Sequence, residues 1–443
     1  MCLDMSPQVY ITPVGQCSNL IMKLIARMSA RSKNLKRKAV ENTALAVKKA
    51  KGETDLAHGL KWAQVGQELK GLCPLISLSS DSLPGRTKVV GFDIDFTVIK
   101  TASGRKFATG AKDWEWWDEM VPAKLKSLDA DGYRVVFFTN QAGIEKQKTN
   151  PNDIKDKIED IIKQLSIPVQ AFICTGTNHY RKPGTLMWDY FVDNCNGGIK
   201  VDVNKSIFVG DAAGRAKAWA AEKPKDFSCS DRMFAANIGI KFYTPEEYFM
   251  SESAAPFKWG SLDAEAYLKI KPVNNKTITY HSESQEIVIM VGPPASGKSS
   301  LRKRYFEPQG YVAVNKDTMG TQAKCVKVAK EALAKGKSVV VDNTNPNKST
   351  RKDFLDLAEK EGIPCRCFVM QTPLDVAHHL NLVRQNMTNG EVRRVPDVGY
   401  AVYNKNFETP SKCEGFLEIV NIDFTPQFDN KRHEVLFKHW TGH

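Results

Sequence analysis

With 443 residues, the chain has room for about two to three domains with full cores. No stretch approaches 18 consecutive apolar residues, so no membrane span is expected. Its ten cysteines are scattered without a C-x-x-C pair, which argues against a zinc site or a disulfide framework and for a reducing compartment. The net charge of +13 is unevenly spread: residues 23–51 hold ten basic residues and one acid, +9 of the total, so nucleic-acid binding by the remainder must come from local patches.

Residues 1–58 read as a disordered basic tail with a targeting signal. Lys36-Arg37-Lys38, nine further residues and then Lys48-Lys49-Ala50-Lys51 have the form of a two-part nuclear localisation signal. A second pattern overlaps it, since Leu20, Ile21, Leu24, Ile25 and Met28 share a helical face opposite Lys23, Arg27 and Arg31, as in a mitochondrial leader. The nucleus is the first expected address and the mitochondrion the second.

Residues 59–252 are expected to form the first folded domain. Lys88 to Phe92 reads as a strand leading into Asp93-Ile94-Asp95-Phe96-Thr97, two carboxylates spaced i and i+2. Such a pair suits phosphoryl transfer, with Asp93 as nucleophile and Asp95 protonating the leaving oxygen and then activating water. Three more apolar runs end in polar residues: Arg134 to Thr139-Asn140-Gln141, Ala171 to Thr175 with His179-Tyr180-Arg181-Lys182-Pro183 behind it, and Ser206 to Gly210-Asp211. Helical stretches such as Asp153 to Leu165 separate them, the alternation of a doubly wound parallel sheet whose ligands sit at the carboxyl ends of the strands. His179 is expected to be a polar neighbour, and Trp114, Trp116 and Trp117 packing residues.

Residues 253–284, with Pro256, Gly260, Pro272 and Asn274-Asn275, read as a linker, and residues 285–443 as a second domain. Ile287 to Val291 is a buried strand running into Gly292-Pro-Pro-Ala-Ser-Gly297-Lys298-Ser299, which fits G-x-x-x-x-G-K-S/T at every fixed position. The glycines let backbone amides close around phosphate oxygens, Lys298 reaches the β- and γ-phosphates of ATP, and Ser299 holds Mg²⁺, with Ser300 beside it in the nucleotide site. Tyr311 to Asp317 and Ser338 to Asp342 read as strands ending in carboxylates. Asp317 is the preferred base for a substrate hydroxyl and Asp342 is an alternative placed near the metal. A mobile lid is expected after Asp375, with Arg384, Arg393 and Arg394 as candidates to meet developing charge and Arg384 taken as the ATP contact.

The four segments of the first domain resemble the motifs of the haloacid dehalogenase superfamily of aspartate-nucleophile phosphatases. The resemblance implies that Thr139 and Lys182 clamp the phosphate and that Asp211 binds Mg²⁺ with Asp93, Asp95 being counted with them. The whole order, from Phe137-Phe-Thr-Asn-Gln141 through Tyr180-Arg-Lys-Pro183 and Gly210-Asp-Ala-Ala-Gly-Arg215 to Val314-Asn-Lys-Asp-Thr318 and Asp342-Asn-Thr-Asn-Pro346, resembles the polynucleotide kinase 3′-phosphatase family. That likeness implies two doubly wound parallel-sheet domains, a haloacid dehalogenase-like phosphatase and a P-loop kinase, that use Mg²⁺ and ATP to repair DNA ends as a monomer. Strand-break repair proteins are further candidate partners. Three departures stand out: Phe96 replaces a frequent glycine, the lid does not place arginine where relatives do, and the tail is too short and basic for a forkhead-associated domain. The competing reading is a bifunctional kinase and phosphatase of a small metabolite.

Overall fold

The computed structural model describes residues 57–68, 71–270 and 278–442, so both targeting signals lie outside the described residues. In the first domain, alternate residues of the central strands enter two different cores. Val90, Phe92, Val135, Phe137 and Ile173 meet helices Val121–Ala130 and Pro151–Leu165 on one face, while Val89, Val136, Phe138, Phe172 and Phe208 meet helices Leu186–Asn194 and Ser230–Ile238 on the other. A sheet covered on both faces by helices needs this two-sided apolar run, and β-branched and aromatic residues supply it.

The strands are β1 (Lys61–Val65), β2 (Leu75–Ser79), β3 (Lys88–Phe92), β4 (Tyr133–Asn140), β5 (Gln170–Cys174), β6 (Ile207–Val209) and β7 (Lys241–Tyr243), in the spatial order β1-β2-β5-β4-β3-β6-β7. The five from β3 to β7 pair in parallel, whereas β2 runs antiparallel to β5 and β1 antiparallel to β2. These two strands on one side of the sheet, absent from the sequence reading, make it mixed. Because β3, β4, β5 and β6 point the same way, Asp93, Thr139, Lys182 and Asp211 all come from one end of the sheet.

The second sheet is parallel throughout, in the order β9-β10-β8-β11-β12, from β8 (Ile287–Val291), β9 (Val312–Val314), β10 (Val339–Val341), β11 (Cys365–Met370) and β12 (Glu418–Ile422). Here too the strands alternate, Ile287, Ile289 and Val291 facing one core and Val288 and Met290 the other.

Two elements differ from expectation. Tyr311 to Asp317 does not stay extended: β9 stops at Val314, and the Asn315 side chain accepts from the amides of Asp317 at 2.8 Å and Thr318 at 3.4 Å, capping a short helix Lys316–Met319. The segment after Asp375 is a regular helix, Leu374–Met387, which buries His379, Asn381 and Gln385 along with Val376, Ala377 and Val383. The stretch read as a linker is also packed in its described parts. Phe257 bridges Arg215, a helix forms at Ala264–Leu268, and Trp259 stacks on Trp440 at 4.3 Å.

Candidate active sites

At the end of β3 the chain wraps around one carbonyl, with the amides of Thr97, Val98 and Ile99 all donating to Ile94 O at 3.2, 2.9 and 3.1 Å. This turn sends the two carboxylates of Asp93-Ile94-Asp95 to different partners. It also puts Phe96 at φ 60, in the left-handed region where glycine fits without cost. Thr97, fully buried, accepts from the Asp211 amide at 3.0 Å and so ties the β3 turn to the one after β6.

Asp93 Oδ1 receives Lys182 Nζ at 2.6 Å, and the same ammonium reaches Asp231 Oδ1 at 2.7 Å. Asp231 was missed in the sequence because it stands in the first turn of helix Ser230–Ile238 and not at a strand end. Its other oxygen accepts from the Ala212 amide at 3.1 Å. Gly210 makes room for that approach, since a Cβ there would fall 2.4 Å from Asp231 Oδ2. Asp93, Asp211 and Asp231 thus each bring a carboxylate oxygen within 4.8 Å of the others.

Asp95, expected among the metal ligands, stands outside that cluster of carboxylates. Its Oδ2 receives Gln141 Nε2 at 2.7 Å and its Oδ1 lies 3.7 Å from Lys157 Nζ, because the turn around Ile94 swings it towards the β4 end. The placement leaves it open to proton transfer. Gln141 also donates to Thr139 Oγ1 at 3.0 Å, which leaves the hydroxyl hydrogen of Thr139 for another acceptor. Lys157 gave one readable signal, a lysine among Ile154, Ile158 and Ile161 on the apolar face of helix Pro151–Leu165. His179 packs beside Tyr180 away from these acids, its imidazole pushed down to about 4 by burial. Trp114 and Trp116 meet edge to face, and Trp117 packs on Phe249.

Burial, then the neighbouring Asp231, pushes the Asp93 carboxyl up to about 7 against the pull of Lys182, and burial with Asp231 and Asp93 raises Asp211 too. Burial alone would lower the Lys182 ammonium, but Asp231 and Asp93 reverse that and hold it above its ordinary value. Three close carboxylates with one lysine are short of positive charge, and an all-oxygen donor set of this kind suits Mg²⁺.

In the second domain Gly297, at φ 95, turns the chain into helix Lys298–Leu301, and a Cβ on Gly292 would strike Met370 and the Ser296 hydroxyl at 2.8 Å. Lys298 Nζ folds onto the loop, donating to Gly292 O at 2.9 Å, Pro293 O at 2.6 Å and Ser296 Oγ at 3.1 Å. Ser299 and Ser300 are exposed in the first turn beside it. A cavity of about 620 Å³ opens here, lined by Lys298, Ser299, Arg384, Phe424 and Asp423 among others. Arg384 reaches it from helix Leu374–Met387, with its Nη2 on Asn381 Oδ1 at 3.0 Å.

Asp317 is exposed in the first turn of its short helix. Asp342 is buried and receives Arg302 Nε at 2.9 Å. The segment behind it is scaffold for the phosphate loop: Asn345 Nδ2 donates to Met290 O at 2.7 Å and the Gly292 amide to Thr344 O at 3.2 Å. Arg393 and Arg394 follow the helix in the connection to helix Asp397–Asn406.

Residues 88–249 match the family described as Polynucleotide kinase 3 phosphatase, and residues 287–410 match the AAA domain family. A bifunctional polynucleotide phosphatase/kinase of Schizosaccharomyces pombe is 39% identical over 340 residues, 76% of this chain and 80% of the relative. Polynucleotide 3′-phosphatase ZDP of Arabidopsis thaliana is 35% identical over 190 residues, 40% of this chain and 26% of the relative. A polynucleotide 3′-phosphatase of Saccharomyces cerevisiae is 26% identical over 214 residues, 36% of this chain and 87% of the relative. With both family models matched and the fission-yeast likeness running through most of each protein, the chain belongs to the family of bifunctional polynucleotide phosphatase/kinases.

Proposed function

We propose that the chain repairs broken DNA ends, removing a 3′-phosphate at the first site and phosphorylating a 5′-hydroxyl with ATP at the second, so that a ligase can join them. The observation that carries this reading is the pair of separate phosphate-handling sites, each at the carboxyl end of its own sheet. One is built on Lys182 between Asp93 and Asp231, the other on the loop around Lys298.

At the first site Asp93 Oδ attacks phosphorus as the bond to the 3′ oxygen breaks, and Asp95 gives that oxygen a proton. Asp95 then takes a proton from the water that attacks the aspartyl phosphate, releasing inorganic phosphate and restoring Asp93. Gln141 and Lys157 hold Asp95 for both steps. Lys182 and the Thr139 hydroxyl meet the non-bridging oxygens, drawing off charge that would otherwise repel the carboxylate. Asp93, Asp211 and Asp231 would hold Mg²⁺, which would supply further positive charge there.

At the second site the 5′ oxygen attacks the γ-phosphorus of ATP, Asp317 accepts its proton, and ADP leaves. Lys298 turns from the loop carbonyls to the β- and γ-phosphates, Arg384 faces the developing charge, and Ser299 would hold Mg²⁺, which would supply further positive charge. The basic tail addresses the enzyme to the nucleus, and its two-part signal is the sequence support for that.

The test is a labelled nicked duplex bearing a 3′-phosphate and a 5′-hydroxyl, incubated with Mg²⁺ and ATP. Loss of the first group and gain of the second, both falling steeply with salt as phosphate contacts require, is the expected result. No change at either end would overturn the reading, and turnover of a small phosphate ester without salt dependence would favour a metabolite enzyme instead.

A further inference from the structure

The segment that carries Lys182 is braced from outside its own domain. Within the domain, Asn140 exchanges hydrogen bonds with the Lys182 backbone at 3.0 and 3.2 Å. The opposite side of the segment is closed by the kinase domain. Gln385, buried in helix Leu374–Met387, donates from Nε2 to Thr177 O at 3.3 Å. Gly390, at φ 84 beyond the end of that helix, lies so close to the His179 ring that a Cβ there would fall 2.1 Å from Nδ1. The C-terminal segment adds a third brace through Asn237, which accepts from the Trp440 amide at 2.7 Å and donates to Trp440 O at 2.8 Å and Pro183 O at 2.9 Å.

We propose that the kinase domain positions the phosphatase's lysine, with Gln385, Gly390 and the Trp440 backbone holding residues 177–183 in the shape that delivers Lys182 Nζ to Asp93 and Asp231. This inference rests on the phosphatase reading above. Lys182 is fully buried and its two ion pairs measure 2.6 and 2.7 Å, so a small shift of its loop breaks both contacts. Gln385 and Gly390 are positioning residues, because they act through that loop and touch no reacting group. The same helix brings Arg384 to the nucleotide cavity, one position before Gln385, so a single rigid element serves both sites.

The experiment uses the full chain and compares Gly390→Ala, His179→Ala, the double variant and Gln385→Met. Phosphate release is followed from a 3′-phosphorylated oligonucleotide and from p-nitrophenyl phosphate, with kinase turnover measured on a 5′-hydroxyl oligonucleotide. Gly390→Ala should lower phosphatase kcat about tenfold on both compounds with KM changed less than about twofold, as expected for a misplaced catalytic group. The double variant should return to the rate of His179→Ala alone, because removing the imidazole opens the space the new methyl needs. Gln385→Met, which keeps the volume and loses the donor, should lower kcat by about threefold.

Unchanged phosphatase kcat in both Gly390→Ala and Gln385→Met would overturn the proposal. So would a loss that His179→Ala does not repair, which would trace the effect to backbone strain at residue 390, or an equal loss of kinase turnover, which would mark general damage. A wild-type enzyme releasing no phosphate from either compound would overturn the phosphatase reading itself.

Discussion

In the proposed reactions Lys182 and Lys298 share one task, to meet a phosphate's negative charge, yet the structure holds them in opposite surroundings. Lys182 is buried between two carboxylates, and their charge holds its pKa above the ordinary value despite burial. Lys298 is equally enclosed but bonded to two carbonyls and a hydroxyl, and burial pushes it down to about 8. The first site is assembled in advance, its cation already committed to the carboxylates of Asp93 and Asp231. The kinase site keeps its cation on neutral partners that yield to an incoming anion, beside an open cavity. A buried charge with charged partners is costly to separate, whereas one resting on carbonyl dipoles gains a stronger partner when phosphate arrives.

The largest effects should come from breaking each site alone. Asp93→Asn removes the phosphoryl acceptor and should cut phosphate release by about a thousandfold or more. Asp231 still pairs Lys182 in that variant, so the fold and the kinase reaction should persist. Lys298→Ala should lower kinase kcat by about a hundredfold to a thousandfold while release of the 3′-phosphate, which needs no ATP, continues. Following both ends of one nick checks the pair. If folded Asp93→Asn enzyme also stopped phosphorylating, the picture of two separate sites would have to be replaced by one shared site.

A smaller effect separates the sites by pH and metal. The Asp93 carboxyl, raised to about 7, binds its proton more tightly folded than unfolded, and Asp211 is raised in the same sense. Their contribution to stability is therefore fully present below about pH 4, the unfolded value, and is lost as pH climbs towards about 7. Metal-free protein should lose stability across that window, and Mg²⁺, by binding the ionised carboxylates, should restore more at pH 7 than at pH 5. Lys298 runs the other way: with its folded pKa depressed, it loses stability as pH falls from about 10.5 through about 8. Thermal melts in chelator and in Mg²⁺ at the two pH values test the assignment of a cation to Asp93, Asp211 and Asp231. Equal Mg²⁺ shifts at pH 5 and pH 7, or none, would count against it.

How much of this was legible depended on whether a group's partners are near it in sequence. The phosphate loop could be read because β8, the turn and the helix start are contiguous, and Asp93, Thr139 and Asp211 because each stands at or just past the end of its own apolar strand. Asp231 could not, since an acid in a helix's first turn is ordinary capping chemistry and only the fold brings it to Lys182. Helix Leu374–Met387 was hidden for a related reason. Three of its buried positions are His379, Asn381 and Gln385, whose partners are Phe437 O and Thr441, Val395 O, and Thr177 O, so the apolar stripe that marks a helix is interrupted by satisfied polar groups. At Asn315 a local cap overrode the strand pattern, the edge strand β1 lacks the strong two-sided apolar run of the sheet centre, and β2 interrupts its short apolar run with Ser77.

The smallest expected effect lies at the rim of the preassembled site. Phe96 holds φ 60 with its amide on Ile99 O at 2.7 Å, and its side chain is 40% exposed, so the turn is stabilised by its hydrogen bonds more than by burial of the ring. A non-glycine residue in that region carries roughly 1–2 kcal/mol of strain, while glycine adds roughly 0.5–1 kcal/mol of unfolded-state entropy to be lost on folding. Phe96→Gly should therefore stabilise the protein by about 0.5–1 kcal/mol, read as a higher urea midpoint at unchanged m-value. The Asp93 chemistry should be retained, because the hydrogen bonds that shape the turn are backbone bonds. The aromatic stands next to Asp95, so its removal should also widen the approach and narrow the difference in phosphatase kcat/KM between single-stranded and duplex ends. A lower urea midpoint would mean that ring contacts outweigh the strain, and unmoved end selectivity would reduce Phe96 to a packing residue at a site whose mouth is set elsewhere.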